Sequence, residues 1–240
     1  MGNRRSSKLP RTRLVSHPSY ARRASPYTRV TVANLQFVVE GNRPLSGTIR
    51  PSGNKNAALP IVAAALLTDR PVTLENVPRI RDIETLVELI KTTGADAEWT
   101  GRNTLHMHAR TLKRGALDPA MCARIRASIL LAAPLLARCG EAELTPPGGD
   151  VIGSRPLDVH FAGFKALGAV VTREGAAYVA RSPRLQGTRI FFDYPSVLGT
   201  VNVIFAATLA EGTTTIINAA AEPEVEMACD LLNAMRSEEH

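Results

Sequence analysis

The chain is poor in cysteine and aromatic residues, has no long hydrophobic run, and carries no acid over its first 35 positions. Its three cysteines, Cys122, Cys139 and Cys229, are scattered through 240 residues with no C-x-x-C pair. That excludes a disulfide framework and a thiolate metal site, and it suits a reducing, cytoplasmic setting. His106 and His108 in "TLHMHA" share one face of a predicted strand, a spacing that a metal site could use. No third ligand candidate lies near them in sequence, so they read as surface histidines and no metal is expected. The longest apolar stretch, Asn56 to Leu67, is shorter than the roughly 20 residues that span a bilayer. Glycine-rich phosphate loops of the Walker type, dinucleotide-binding G-x-G-x-x-G and the serine-hydrolase elbow G-x-S-x-G are all missing from the sequence. Nucleotide-triphosphate hydrolases, Rossmann dehydrogenases and serine hydrolases are thereby disfavoured, and no cofactor is expected.

Charge is unevenly placed. Residues 1–35 hold eight Arg and Lys and no Asp or Glu, more than the whole formal net charge of +7. The remainder is close to neutral, so the high pI gives no reason to expect a nucleic-acid partner for the folded part. Residues 1–34 read as a basic, disordered leader or an overcalled start. A transit peptide is the sharper alternative, though the amphipathic periodicity is weak.

What the chain does contain is a repeat. "NAALPIVAAALLTDRPVTLENVP", "RASILLAAPLLARCGEAELTPPG" and "GTVNVIFAATLAEGTTTIINAAAEP" each give an apolar helix, a turn, a β-branched strand and a loop. The aligned leucines Leu67, Leu136 and Leu209 fall 69 and 73 residues apart. An amphipathic helix follows each loop, ending in the first two copies at Gly94 and Gly168, where a left-handed residue is needed to turn the chain. Strands "DAEWT" and "VVTRE" come next. The unit is strand, buried helix, strand, amphipathic helix, strand, which predicts an α/β fold. Helices that are apolar on every side must be enclosed, so the units pack with these helices inside and the sheets outward, as an inside-out barrel. In the third copy Arg236 stands where the others have glycine, which makes that copy incomplete.

Cations recur at the helix starts. Lys55 precedes the first buried helix, Arg126 the second, and Arg155 follows the glycine loop that carries Asp150. Side-by-side packing of repeats would bring Lys55 and Arg126 to one end, where free helix N–H groups and full positive charges hold an anion. Gly53 and Asn54 before Lys55, and Gly148 and Gly149 before Asp150, would let the backbone come close to such a ligand.

At these motifs the sequence resembles the UDP-N-acetylglucosamine enolpyruvyl transferases (1-carboxyvinyltransferases), of the EPSP synthase-like superfamily. The resemblance rests on "SGNKNAALPIVAAALL", "RIRASILLAAPLLAR", "PPGGDVIGSRPLDVH" and "AATLAEGTTTIINAAAEPE" and runs from about Leu35 to Met235. It implies one inside-out α/β barrel of a fold built from two. It also implies transfer of enolpyruvyl from phosphoenolpyruvate to the 3′-hydroxyl of UDP-N-acetylglucosamine with release of phosphate, the first committed step of peptidoglycan synthesis. By the same resemblance Lys55 and Asn56 match the phosphoenolpyruvate contacts. Arg126, Arg155, Pro156, Leu157, Asp158 and Val159 match the UDP-N-acetylglucosamine site, with Ser196 and Val197 as weaker matches. Asp150 matches the loop proton donor, a cysteine in most members, and Lys55 and Arg155 join it as catalytic groups.

Departures accompany the matches. "SVLGTVNVI" replaces a Ser-Val-Gly-Ala-Thr pattern, with Leu198 for glycine, Gly199 for alanine and Val201 for a frequent glutamate. Tyr194 stands where some members use lysine. The division expected is a leader over 1–34, an opening strand over 35–50 that would pack on a second barrel, and the barrel over 51–240. The partners implied are the two small-molecule substrates and a second chain carrying the missing barrel; no membrane partner is expected. Two alternatives stay open: an inactive fragment that at most binds the UDP-sugar, and 5-enolpyruvylshikimate-3-phosphate synthase, whose Asp-Lys-Ser start differs from "GNKNAALP".

Overall fold

The computed structural model describes residues 14–16, 35–37, 44, 46–114, 117–148 and 156–237. The chain divides into two units, Met1–Arg50 and Pro51–His240. In the first, β1 (Leu14–Ser16) pairs antiparallel with β2 (Leu35–Phe37).

Three copies of one pattern follow each other. The first is α1 (Lys55–Ala64) tightening into a 3₁₀ turn (Ala65–Leu67), then β3 (Pro71–Leu74), α2 (Arg81–Thr92), β4 (Asp96–Trp99) and β5 (Leu105–His108). The second begins with a short α3 (Pro119–Cys122) and a 3₁₀ helix (Arg126–Leu131) that runs into α4 (Ala132–Cys139). It continues through β6 (Glu141–Leu144), α5 (Asp158–Ala166), β7 (Val170–Glu174) and β8 (Ala177–Arg181). The third is β9 (Arg189–Phe191), α6 (Val197–Thr208), β10 (Thr215–Ile217) and α7 (Pro223–Ser237).

The sheets are β3-β5-β4 and β6-β8-β7, with the last strand of each copy central and antiparallel to both neighbours. The repeat unit read from the sequence has one strand after each amphipathic helix; the structure has a hairpin there, whose second strand was also read in the first copy, at His106 and His108, whereas β8 was not singled out. In the third copy β9 and β10 pair in parallel across the buried helix α6, since a strand–helix–strand crossover returns the chain in the same direction. Among the described residues the sheets stay separate and do not close into a ring. No helix among them is long and apolar enough to cross a membrane.

The apolar helices lie inside, as their composition requires. Val62, Ala63, Ala64 and Leu66 of the first copy, Leu130 to Ala133 of the second and Val201, Val203, Phe205 and Ala206 of the third are almost wholly buried. Helix α1 packs on α2 and α7, and α6 packs on α4, α5 and α7. The amphipathic α2 buries Ile83, Leu86, Leu89 and Ile90, each contributing on the order of 2 kcal/mol of apolar burial. Asp82 and Glu84 in its first turn and Lys91 in its last complement the helix dipole. Gly94 and Gly168 adopt φ of +92° and +93° just past α2 and α5, as the sequence predicts. Arg138 joins the first two copies: its guanidinium donates to the carbonyl oxygens of Leu66, Thr68 and Ala109 at 3.0, 3.0 and 2.6 Å. It thereby satisfies two carbonyls that the end of the 3₁₀ turn leaves open, Leu66 O and Thr68 O, and one just past β5.

Candidate functional site

Two glycines set the geometry. A Cβ on Gly163 would lie 2.2 Å from Val203 Cγ2, and one on Gly199 would lie 2.7 Å from Val159 Cγ1. Without those side chains α5 and α6 approach closely, and because Val159 meets Gly199 and Gly163 meets Val203 the two helices run in the same direction, with their N-termini at the same end. The start of the 3₁₀ helix at Arg126 completes the group. Between them is a cavity of about 380 Å³ lined by Arg126, Pro156, His160, Tyr194, Ser196 and Val197, among others. Such a space suits an anionic ligand, because helix N-termini present unpaired N–H groups and Arg126 adds a full charge.

Each wall is fixed locally. Ser196 caps α6, its Oγ accepting from Gly199 N at 3.2 Å. Tyr194 donates its hydroxyl to Asp158 Oδ1 at 2.9 Å, tying the approach to α6 to the first residue of α5. Burial and then the Asp158 bond push the Tyr194 hydroxyl pKa up, so it remains a donor. Leu157 is the residue before α5, Pro156 is exposed at the cavity, and Val159 is buried behind it.

His160 and Asn202 lie beneath the cavity, and neither was singled out from the sequence. His160 is 2% exposed and Asn202 not at all. Asn202 Nδ2 donates to Ile129 O at 3.0 Å and lies 2.8 Å from His160 Nδ1. Burial, with Arg126 adding repulsion against a weaker pull from Asp158, lowers the His160 pKa to about 4. The available signals were a polar Asn202 in an otherwise apolar helix and a histidine two residues after Asp158.

Lys55 and Asn56 are exposed in the first turn of α1. Asn54 caps that helix, its side chain accepting from Asn56 N at 2.7 Å and Ala57 N at 3.4 Å. The Lys55 ammonium is ion-paired with Asp82 at the start of α2. Helix α1 contacts the 3₁₀ helix that begins at Arg126, but Lys55 and Asn56 do not line the cavity. Asp150 and Arg155 lie outside the described residues. The chain before them is anchored at Gly148, whose N–H donates to Cys122 O at 3.1 Å.

The expected role of the glycines differs from the one observed. A Cβ on Gly148 would sit 1.7 Å from Ala123 O, and one on Gly53 would sit 2.0 Å from Asn76 O. Both positions need glycine because the protein's own backbone fills the space of a Cβ. His106 Nδ1 is 3.0 Å from Thr73 Oγ1 and His108 Nε2 is 3.0 Å from Asp69 O, so both histidines serve the β3–β5 pair and its loop. Among the described residues no group of three or more His, Cys, Asp and Glu gathers to hold a metal ion.

Comparison with known proteins places this arrangement. Residues 39–238 match the family model described as EPSP synthase (3-phosphoshikimate 1-carboxyvinyltransferase). The UDP-N-acetylglucosamine 1-carboxyvinyltransferase of Bradyrhizobium diazoefficiens is 59% identical over 204 residues, 85% of this chain and 47% of the relative. That of Treponema denticola is 45% identical over 201 residues, 83% of this chain and 47% of the relative. The chain therefore spans about half the length of the curated relatives it matches. Among solved structures, the enolpyruvyl transferase NikO from Streptomyces tendae superposes with a TM-score of 0.68 at 25% identity, over 80% of this chain and 45% of that one. An EPSP synthase from Acinetobacter baumannii, at 18% identity and a TM-score of 0.63, covers 78% of this chain and 43% of its own and shares the fold. With the repeated α/β architecture, the family match over most of its length and these neighbours in agreement, the chain belongs to the EPSP synthase (3-phosphoshikimate 1-carboxyvinyltransferase) family.

Proposed function

We propose that this chain supplies the UDP-N-acetylglucosamine side of an enolpyruvyl transfer site. In this reading the enolpyruvyl group of phosphoenolpyruvate passes to the sugar 3′-hydroxyl and phosphate leaves, at the entry to peptidoglycan synthesis. The observation that carries the reading is the cavity at three helix N-termini, in a chain 59% identical to a UDP-N-acetylglucosamine 1-carboxyvinyltransferase. The nucleotide would lie against Arg126, Arg155 and the segment Pro156 to Val159, with its phosphates toward Ser196 and Val197. Phosphoenolpyruvate would be held by Lys55 and Asn56 at the start of α1.

As the hydroxyl adds, the methylene carbon of phosphoenolpyruvate must gain a proton, which is the role given to Asp150. An unperturbed aspartic acid has a pKa of about 3.9, so the bound dianionic substrate and exclusion of water must raise it before it can donate. Lys55, Arg126 and Arg155 would neutralise the carboxylate and phosphate and orient them for attack. The remaining groups would come from a second barrel on a partner chain or on a longer form of this one.

A second reading, a chain that binds the UDP-sugar without turnover, is favoured by the ion pair that engages Lys55 with Asp82. Phosphate release by the 240-residue chain with both substrates, alongside calorimetric titration with UDP-N-acetylglucosamine, separates the two. Saturable release supports the transferase, binding alone supports the second reading, and neither removes both. In the active case Asp150→Asn is expected to lower turnover by about a hundredfold or more while leaving nucleotide affinity unchanged.

A further inference from the structure

The polar contact beneath the cavity fixes where a proton sits. A backbone carbonyl can only accept, so the Asn202 group facing Ile129 O must be its NH₂. That amide has a second proton, and it points at His160 Nδ1, 2.8 Å away. Nδ1 must then be the accepting nitrogen, and the imidazole proton is left on Nε2. The arrangement has a cost, because Asn202 Oδ1 is buried with no partner among the described residues. An amide kept at that expense is held by what its nitrogen does. Nε2 has no partner among the described residues, and the His160 ring lines the cavity. The charged groups facing the ring are Arg126 from the 3₁₀ helix and Asp158 from its own helix, while α6 presents Asn202.

We infer that Asn202 is a positioning residue that fixes the His160 ring with its proton on Nε2, as a hydrogen-bond donor to a phosphate oxygen of a nucleoside diphosphate bound in the cavity. The ligand half rests on the reading proposed above; the tautomer half stands on the contacts alone. An uncharged ring suits this place because it donates to the ligand without repelling Arg126. Desolvation and Arg126, which push the His160 pKa to about 4, keep it uncharged at neutral pH.

Imidazole nitrogen and carbon NMR of the 240-residue chain tests both halves. The expected result is the Nε2–H tautomer with no titration from about pH 5.5 to 8, and a shift of its Nε2–H resonance on addition of UDP-N-acetylglucosamine. An Nδ1–H tautomer, or titration near the ordinary histidine value of about 6.5, overturns the role of Asn202. Shifts at Arg126 and Ser196 with His160 unmoved overturn the donor role alone. No shift anywhere in the cavity overturns the nucleotide reading and with it the ligand half, leaving the tautomer result to decide the role of Asn202.

Variants sharpen the test. Asn202→Ala should let the second tautomer appear. If that variant fails to fold, His160→Gln and His160→Ala carry the same question, because the glutamine amide places a donor near the site of Nε2. His160→Gln should keep UDP-sugar affinity within about threefold while His160→Ala loses about tenfold, the effect of one hydrogen bond to a charged acceptor. Equal loss in both variants would mean that the ring only fills space.

Discussion

Two helix starts in this protein carry cations at comparable places in the repeat, and they are built differently. At α1, Asn54 caps the helix and Lys55 meets Asp82 in an ion pair whose side chains are 47% and 38% exposed. At the second site Arg126, Asp158 and Ser196 come from three converging elements, and a wholly buried Asn202 and a nearly buried His160 support them from below. The first tip has its cap and its ion pair at the surface. The second has a cavity, a donor nitrogen without a partner among the described residues, and close helix packing made possible by Gly163 and Gly199. A repeated sequence position thus lines a cavity here where neighbouring helices close around it.

The largest effect on this contrast should come from the packing that brings the helix starts together. Phe164 is fully buried on α5, and Phe164→Ala should destabilise the fold by about 3–5 kcal/mol in urea unfolding and weaken UDP-sugar binding with it. No substitution at the α1 tip should approach that loss. Next comes pH. The His160 pKa falls on folding, from the ordinary 6.5 to about 4, so between those values the unfolded chain binds the extra proton. Stability from this group is full above about pH 6.5 and is lost as pH falls toward 4, by about 2–3 kcal/mol at pH 4.5. Comparing unfolding at pH 7 and 4.5 for the parent and His160→Gln checks this, and an equal acid loss in both would count against it.

The caps give a smaller and more discriminating pair. Ser196→Ala and Asn54→Ala should each cost about 1 kcal/mol of stability, yet only Ser196→Ala should also reduce UDP-N-acetylglucosamine affinity by calorimetry. The smallest effect is expected at the exposed pair: Asp82→Asn should change stability by about 0–1 kcal/mol, less in high salt. A large change would mean that the α1 tip is less open than its exposure indicates.

The repeat was legible in the sequence because its signals are local. Helices enclosed on all sides read as unbroken apolar runs, and Gly94 and Gly168 mark the left-handed stops they adopt. Strand β8, "AYVAR", was not legible: Ala177, Val179 and Ala180 are buried together, so strict alternation fails in a strand held centrally between two others. Of the site, Arg126, Pro156, Asp158 and Ser196 carry their positions in motifs. The His160–Asn202 contact joins residues 42 apart in sequence, and no local pattern records it. At Gly53 and Gly148 the sequence marks a close backbone approach but not its neighbour, which on the Cβ side is another loop of the chain.

In this reading the cavity under Arg126, Asp158 and Ser196 is the nucleotide site. Amide chemical-shift mapping of the 240-residue chain during titration with UDP-N-acetylglucosamine tests it most directly. Saturable shifts are expected, concentrated at Arg126, Pro156 to His160 and Ser196 to Gly199, with the α1 tip nearly silent in the absence of phosphoenolpyruvate. Shifts centred elsewhere, or none up to millimolar ligand, would contradict it.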